Sequence, residues 1–187
     1  MKGKITEHSI ELFESRGFSD TSIQDIVDSL GVTKGTFYYY FSSKEELLMN
    51  IHLGYIDGLL DRQDEILRDS TVNNKEKLFE IVHLLIGSIK SKGTSAKIFF
   101  REMRHLSEDR LAQIVDKRDR FRLNVERVVR NGIDTGEFRP DLNAAIVTFG
   151  ILGAANWSYQ WFNPNGASTD REVAEILVEM VLRGIEK

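Results

Sequence analysis

Between Gly31 and Ser43 the chain reads GVTKGTFYYYFSS, a stretch with one lysine, no carboxylate and many hydroxyls. Thr33, Lys34, Thr36, Tyr38, Tyr39, Tyr40 and Ser42 all donate hydrogen bonds. On a helix, Phe37 and Phe41 fall on one face, four residues apart, and turn inward. The opposite side then presents Thr33, Lys34, Thr36, Tyr38 and Tyr39. Hydroxyls and an ammonium without a carboxylate suit phosphate oxygens. Gly35 lets a backbone come close to that surface.

A second group of residues lies downstream. From Lys97 to Arg130 ten bases face six acids, in a chain of 25 Lys+Arg, 29 Asp+Glu and net charge -4. Lys97, Arg101 and Arg104 are spaced to share a helix face. Arg118 falls within the apolar stripe Leu111, Ile114, Val115, Phe121, Val125 and needs a counter-charge there. Two partners fit: an internal carboxylate such as Glu102, or an anionic ligand gripped in bidentate fashion. Asn156 with Gln160, and Trp157 with Trp161, are i, i+4 pairs on an apolar helix. The tryptophans either fill a core or subunit interface, or wall an apolar cavity.

Catalytic chemistry has no foothold. Without cysteine there is no disulfide, thiolate metal site or cysteine nucleophile. His8, His52, His83 and His105 show no metal-ligand spacing, and phosphate-loop, dinucleotide and nucleophile-elbow motifs are missing. The expectation is a protein that is not an enzyme and carries no metal or cofactor. No apolar run approaches the 18–20 residues of a membrane span, and the first residues lack a signal-peptide pattern. A cytoplasmic protein with no membrane partner follows.

The elements that position these residues are helices. Pro140 and Pro164 are the only prolines, and no alternating apolar and polar run suggests a strand. The expected fold is all-α with nine helices. Three are short: 4–16, one opened by a Thr21–Gln24 capping box, and one capped by Thr33. A Ser43–Glu46 box opens a long helix to Arg68. The next begins at Asn73 or Asn74 and ends at Gly93, and Thr94 caps a sixth, to Leu106. Ser107 caps a seventh over about 108–135, Pro140–Asp141 starts the eighth, and Thr169–Glu172 caps the last. The change of character at Ser43 divides the chain into domains 1–43 and 44–187. Residues 142–162 and 173–185 are apolar nearly all round, so a partner chain is expected to cover them.

The segment Thr21–Leu47, TSIQDIVDSLGVTKGTFYYYFSSKEEL, resembles the DNA-binding signature of the TetR family of bacterial repressors, as do Gly17–Phe18 before it. The resemblance implies an N-terminal helix-turn-helix and a helical effector and dimerisation domain. It implies operator contacts from Thr33, Lys34, Gly35, Thr36, Tyr38 and Tyr39. It also implies phosphate contacts from Lys44 and from hydroxyl and backbone groups of Thr21 and Ser22. The stretches IFFREMRHLSEDR, KRDRF, GEFRPDL and AANWSYQWFNPNG are similar to effector domains of TetR-type regulators of fatty-acid and steroid catabolism, which answer to acyl-coenzyme A thioesters.

The expected protein is a ligand-responsive repressor that binds double-stranded operator DNA. It forms a homodimer through residues 142–162 and 170–185 and responds to a small-molecule effector of acyl-coenzyme A type. Arg101, Arg104, Arg118, Asn156, Trp157, Gln160 and Trp161 are its expected ligand contacts. The rival reading is a small-molecule-binding protein of the same fold without DNA binding. Residues 1–44 support that rival, because they carry five bases against six acids.

Overall fold

A computed structural model describes residues 1–185, leaving aside the side chains at 91, 92, 184 and 185. Among the described residues there are eight α-helices, one 3-10 helix and no strand. The helices are α1 (Lys2–Arg16), α2 (Ile23–Leu30), α3 (Lys34–Tyr40), α4 (Lys44–Arg68) and α5 (Asn74–Arg101). After the 3-10 helix Met103–His105 come α6 (Glu108–Asp134), α7 (Ala144–Trp161) and α8 (Asp170–Ile185).

The all-α class and nine helical elements agree with the sequence, but several boundaries move. The Ser22 hydroxyl, not that of Thr21, accepts from the Asp25 amide, while Asp25 accepts from the Ser22 amide at 2.7 Å. Only half of the Ser43–Glu46 box forms: Ser43 accepts from the Glu46 amide, and the Glu46 carboxylate turns to Ser42. Asn143 caps α7, so that helix starts later than Pro140 suggests. The Thr169–Glu172 box forms in both directions.

The largest departure is Gly93, which ends nothing. α5 runs through it to Arg101. A mid-helix glycine costs only about 1 kcal/mol relative to alanine, and tertiary bonds hold the helix beyond it. The Thr94 hydroxyl and Lys97 ammonium both reach Glu14 at 2.8 Å. The helix breaks instead at Glu102, φ -101 and ψ 2, into the 3-10 turn.

The chain folds into two compact units. The first joins Met1–Ile56 with Thr94–Val115, and the second joins Asp57–Gly93 with the chain from Asp116 on. In the first unit Ile5, Phe13, Ile26, Phe37, Phe41 and Phe99 are buried. Glu14 ties α1 to α5, and the Lys97 hydrogen bond holds its carboxyl below the usual range. Glu45 accepts from the Ser107 amide at 2.8 Å and faces Arg110 at 3.6 Å, joining the start of α4 to the entry of α6.

In the second unit Gln63 and Asn124 are buried and satisfied: Gln63 donates to the Phe121 carbonyl, and Asn124 donates to Gln63. Glu137 accepts from the amides of Asn74 and Lys75 at the start of α5. A Cβ on Gly132 would come within 2.2 Å of the fully buried Phe138 ring, so the end of α6 needs glycine for close approach. Asp170 at the start of α8 meets Lys90 at 3.1 Å and His83 at 3.6 Å.

His52 is fully buried on α4, with Nδ1 on the Leu48 carbonyl and the Phe99 ring beside it. Burial favours the neutral imidazole and lowers its pKa from 6.5. Above 6.5 neither folded nor unfolded chain protonates there, and below it the unfolded chain takes the proton first. Stability should therefore fall as pH drops from about 7 to about 5. The His52→Leu variant should show a smaller fall over the same window in denaturant titrations. Parallel losses in both proteins would remove His52 as the cause.

Candidate nucleic-acid interface

The helix-turn-helix is built by burial on one side of α3 and capping at its start. Phe37 is fully buried and Phe41 nearly so, with ring centroids 5.8 Å apart. That fixes the rotation of α3 and turns Tyr38 (53% exposed) and Tyr39 (81%) outward. Thr33, Lys34 and Gly35 are exposed and Thr36 half-buried on the same side. The Thr33 hydroxyl accepts from the Thr36 amide, so it caps α3 as well as lying on the outer face. A Cβ on Gly35 would meet only Thr33 Oγ1, at 3.5 Å, so the protein itself does not demand glycine there. The turn does demand one at Gly31, which sits at φ 63 and returns its N–H to carbonyls of α2.

Three expected DNA contacts are placed differently. Thr21 is fully buried, and its hydroxyl donates to the Gly17 carbonyl at 2.8 Å, closing the end of α1. Its side chain cannot serve a phosphate. Ser22 is exposed, but its hydroxyl is engaged with Asp25 as the α2 cap. The cap bonds hold the Asp25 carboxyl below its usual range. Lys44 is half-buried, and its ammonium donates to the carbonyls of Phe18 and Thr21, each at 2.6 Å.

The expected ligand residues lie on several elements. Arg101 ends α5 and Arg104 lies beyond the helix break, in the 3-10 turn, so the shared face with Lys97 stops at Arg101. Both are exposed, and Arg104 Nε donates to His105 at 3.3 Å. Arg118 is exposed although Ile114, Phe121 and Val125 of its stripe are buried, so it is not an arginine sunk in a core. Glu102, the suggested internal partner, meets His105 at 3.2 Å. Arg101 and Arg104 belong to the first unit and Arg118 to the second.

Trp157 (62% exposed) and Trp161 (52%) point out of the unit, and Trp161 lines an open groove with Phe162, Val173 and Ile176. Gln160 is exposed and donates to the Tyr159 hydroxyl, and Asn156 is half-buried.

α7 carries two apolar stripes. Ala144, Thr148, Ile151, Leu152, Ala155 and Ser158 are buried, whereas Ile146, Phe149, Trp157 and Trp161 are exposed. On α8 Val173, Ala174 and Val178 are buried while Ile176 and Met180 stand out. α7 is apolar nearly all round, as read, with only one side covered in the protomer; α8 is not, since Arg171, Glu172, Glu175, Glu179 and Arg183 give it an exposed charged face. Sequence reasoning missed this division, and it missed Glu45, Phe18 and Glu14 as the residues that clasp the first unit. Two apolar stripes on one helix, separated by the small residues Gly150, Gly153 and Ala154, were the readable sign of the first.

Comparison with known proteins agrees with this geometry. Residues 5–51 match the family model described as bacterial regulatory proteins, tetR family, and residues 71–185 match the tetracyclin repressor-like C-terminal domain. The chain is 31% identical over 188 residues to the HTH-type transcriptional repressor KstR2 of Mycobacterium tuberculosis, covering 100% of this chain and 93% of that protein. The structure of the ketosteroid transcriptional regulator KstR2 superposes with a TM-score of 0.90 at 32% identity, covering 100% of this chain and 95% of that one. AibR, solved in complex with isovaleryl coenzyme A and operator DNA, superposes at 0.85 with 26% identity and 96% of each chain covered. A regulator of DNA, and not an enzyme, is what these likenesses share. The chain belongs to the TetR family of bacterial transcriptional regulators.

Proposed function

We propose that the protein is a homodimeric repressor that sets two α3 helices in successive major grooves, about 34–36 Å apart, and leaves its operator when an acyl-coenzyme A thioester binds. The observation that carries the DNA half is the outer face of α3, where Lys34, Tyr38 and Tyr39 are exposed and no carboxylate intervenes. The division of labour falls at Ser43, with residues 1–43 reading DNA and 44–187 binding ligand and partner. The site of action is the cytoplasm. No helix among the described residues is long and apolar enough to cross a membrane.

Arg101, Arg104 and Arg118 are exposed and support an anionic effector, whereas Lys97, Arg110, Lys117 and Arg120 of the same segment meet Glu14, Glu45, Asp57 and Asp64. So does a relative: AibR was solved in complex with isovaleryl coenzyme A. Arg101, Arg104, Arg118 and Asn156 are each proposed as ligand contacts on their residue types and positions in the sequence. Trp157, Trp161 and Gln160 are assigned to the subunit seam, since they stand exposed beside Ile146 and Phe149.

Lys34→Ala and Tyr38→Phe should each weaken operator binding in gel shifts with the chain's own upstream DNA, leaving the melting temperature unchanged. Lys34→Ala should also flatten the dependence of log K on log salt by about 0.9, the value of one phosphate contact. Unaltered affinity for both variants would remove α3 from the interface.

Assembly is tested on the exposed side of α8. Ile176→Glu or Met180→Glu should give folded monomers by sedimentation, because these side chains meet water in the protomer and a carboxylate buried in a seam is costly. A wild type that is monomeric at micromolar concentration would rule out the seam.

An acyl-coenzyme A thioester should raise the melting temperature and release DNA at micromolar concentration. Free coenzyme A should do much less, since its lost tail contributes about 25 cal/mol per Å² buried. Stabilisation by free coenzyme A equal to that by every thioester would refute recognition of the acyl chain.

A further inference from the structure

We infer that α5 is a two-state element: it runs unbroken through Gly93 while Glu14 clasps Thr94 and Lys97, and it parts at Gly93 into two helices when that clasp opens. The inference deepens the repressor reading by naming a regulatory device, and its functional half rests on that reading.

Two opposed signals meet at one point. In sequence, Gly93 followed by Thr94 is a stop followed by a start, since glycine favours the position just past a helix end and threonine the cap of a new one. In the structure α5 obeys neither and continues as 28 residues, Asn74–Arg101. The glycine answers no packing need there. A Cβ on Gly93 would meet only Ile89 Cγ2, at 3.9 Å, an ordinary contact. Alanine would fit and would make the better helix. The boundary between the two compact units of the chain also falls between Gly93 and Thr94.

What holds the helix together past the glycine lies on α1. The Thr94 hydroxyl and the Lys97 ammonium donate to the two carboxylate oxygens of Glu14, each at 2.8 Å. The Lys97 and Glu14 side chains are 41% and 35% exposed, so water competes for these bonds and the clasp is weak. A weak clasp set against a weak helix position leaves the two forms close in free energy. Once α5 parts, the amides of residues 96 and 97 lose the carbonyls of residues 92 and 93. The Thr94 hydroxyl is then placed to accept from them as an N-cap. α1 packs on α2, so the clasp ties α5 to the helix-turn-helix. The unbroken form is assigned to operator binding and the parted form to the effector complex, and a ligand that prefers the second shifts the balance towards it.

Gly93→Ala favours the unbroken form. It should raise the melting temperature by about 2–4 °C, keep operator affinity at the wild-type level or above, and need roughly fivefold more isovaleryl coenzyme A for the same release of DNA. Glu14→Ala opens the clasp and should weaken operator binding without effector. The double variant Glu14→Ala/Gly93→Ala should regain part of that loss, a rescue that a merely local contact would not give. In the free wild type, amides of residues 94–97 should exchange faster than those one turn before and after, and Gly93→Ala should slow them selectively.

Amides at 94–97 as slow as their neighbours in the wild type, or an equal thioester requirement in wild type and Gly93→Ala, would overturn the inference. If Glu14→Ala does not fold, Gly93→Ala decides alone. A wild type that releases no operator with the thioester defeats the effector reading by itself, and the exchange comparison then decides on α5.

Discussion

Phe37 and Phe41 must be dry, and much of the DNA-facing chemistry follows from that requirement. A helix of seven residues has few ways to bury two rings four positions apart. Satisfying both fixes the rotation of α3, and rotation decides what the helix offers outward. Tyr38 and Tyr39 leave the core because their neighbours occupy it. The rest of the first unit maintains this setting. Gly31 supplies the left-handed turn into α3, the Ser22–Asp25 cap fixes the start of α2, and the ammonium of Lys2 lies 5.3 Å from the Phe41 ring. A segment with a slight excess of acids can then meet a polyanion, because what matters is which charges the rotation exposes.

The parts legible in the sequence are those governed by short-range rules. Helical spacing gave the buried face of α3, Phe37 and Phe41. Capping chemistry gave α3 and α8 correctly, and α2 one residue away, since Thr21 and Ser22 both offer a hydroxyl and only burial distinguishes them. Gly93 reads as a stop but is overridden by Glu14, which is far away in sequence and holds Thr94 and Lys97. Arg118 lies among apolar residues on a helical wheel, yet a wheel does not say how wide a face the neighbours cover. The hydrogen bonds of Lys44 to Phe18 and Thr21 were not legible, because the acceptors are backbone carbonyls and leave no mark in composition.

The apolar character of α7 and α8 shows the same limit from the other side. Patterning shows α7 apolar on more than one side and α8 with exposed Ile176 and Met180 beside a charged face, but not which chain supplies each cover. In the protomer Thr148 and Ser158 lie on the covered face while Phe149 and Trp157 meet solvent. Polar residues inside and large apolar residues outside invert the usual arrangement for an isolated subunit. The Arg122 guanidinium lies 5.2 Å from the Phe149 ring, so the edge of the exposed strip borders on charge from α6.

The composition of the first unit bears on modular exchange between regulators. Its DNA-reading helices share a compact body with Thr94–Val115, stretches separated by most of α4 and α5. A chimera spliced at residue 43 would keep the recognition helix but exchange the segment that supplies Lys97 to Glu14 and His105 to Phe18. A head exchanged without the matching 94–115 segment would lose these ties, because the first unit is built from two separated stretches of the chain.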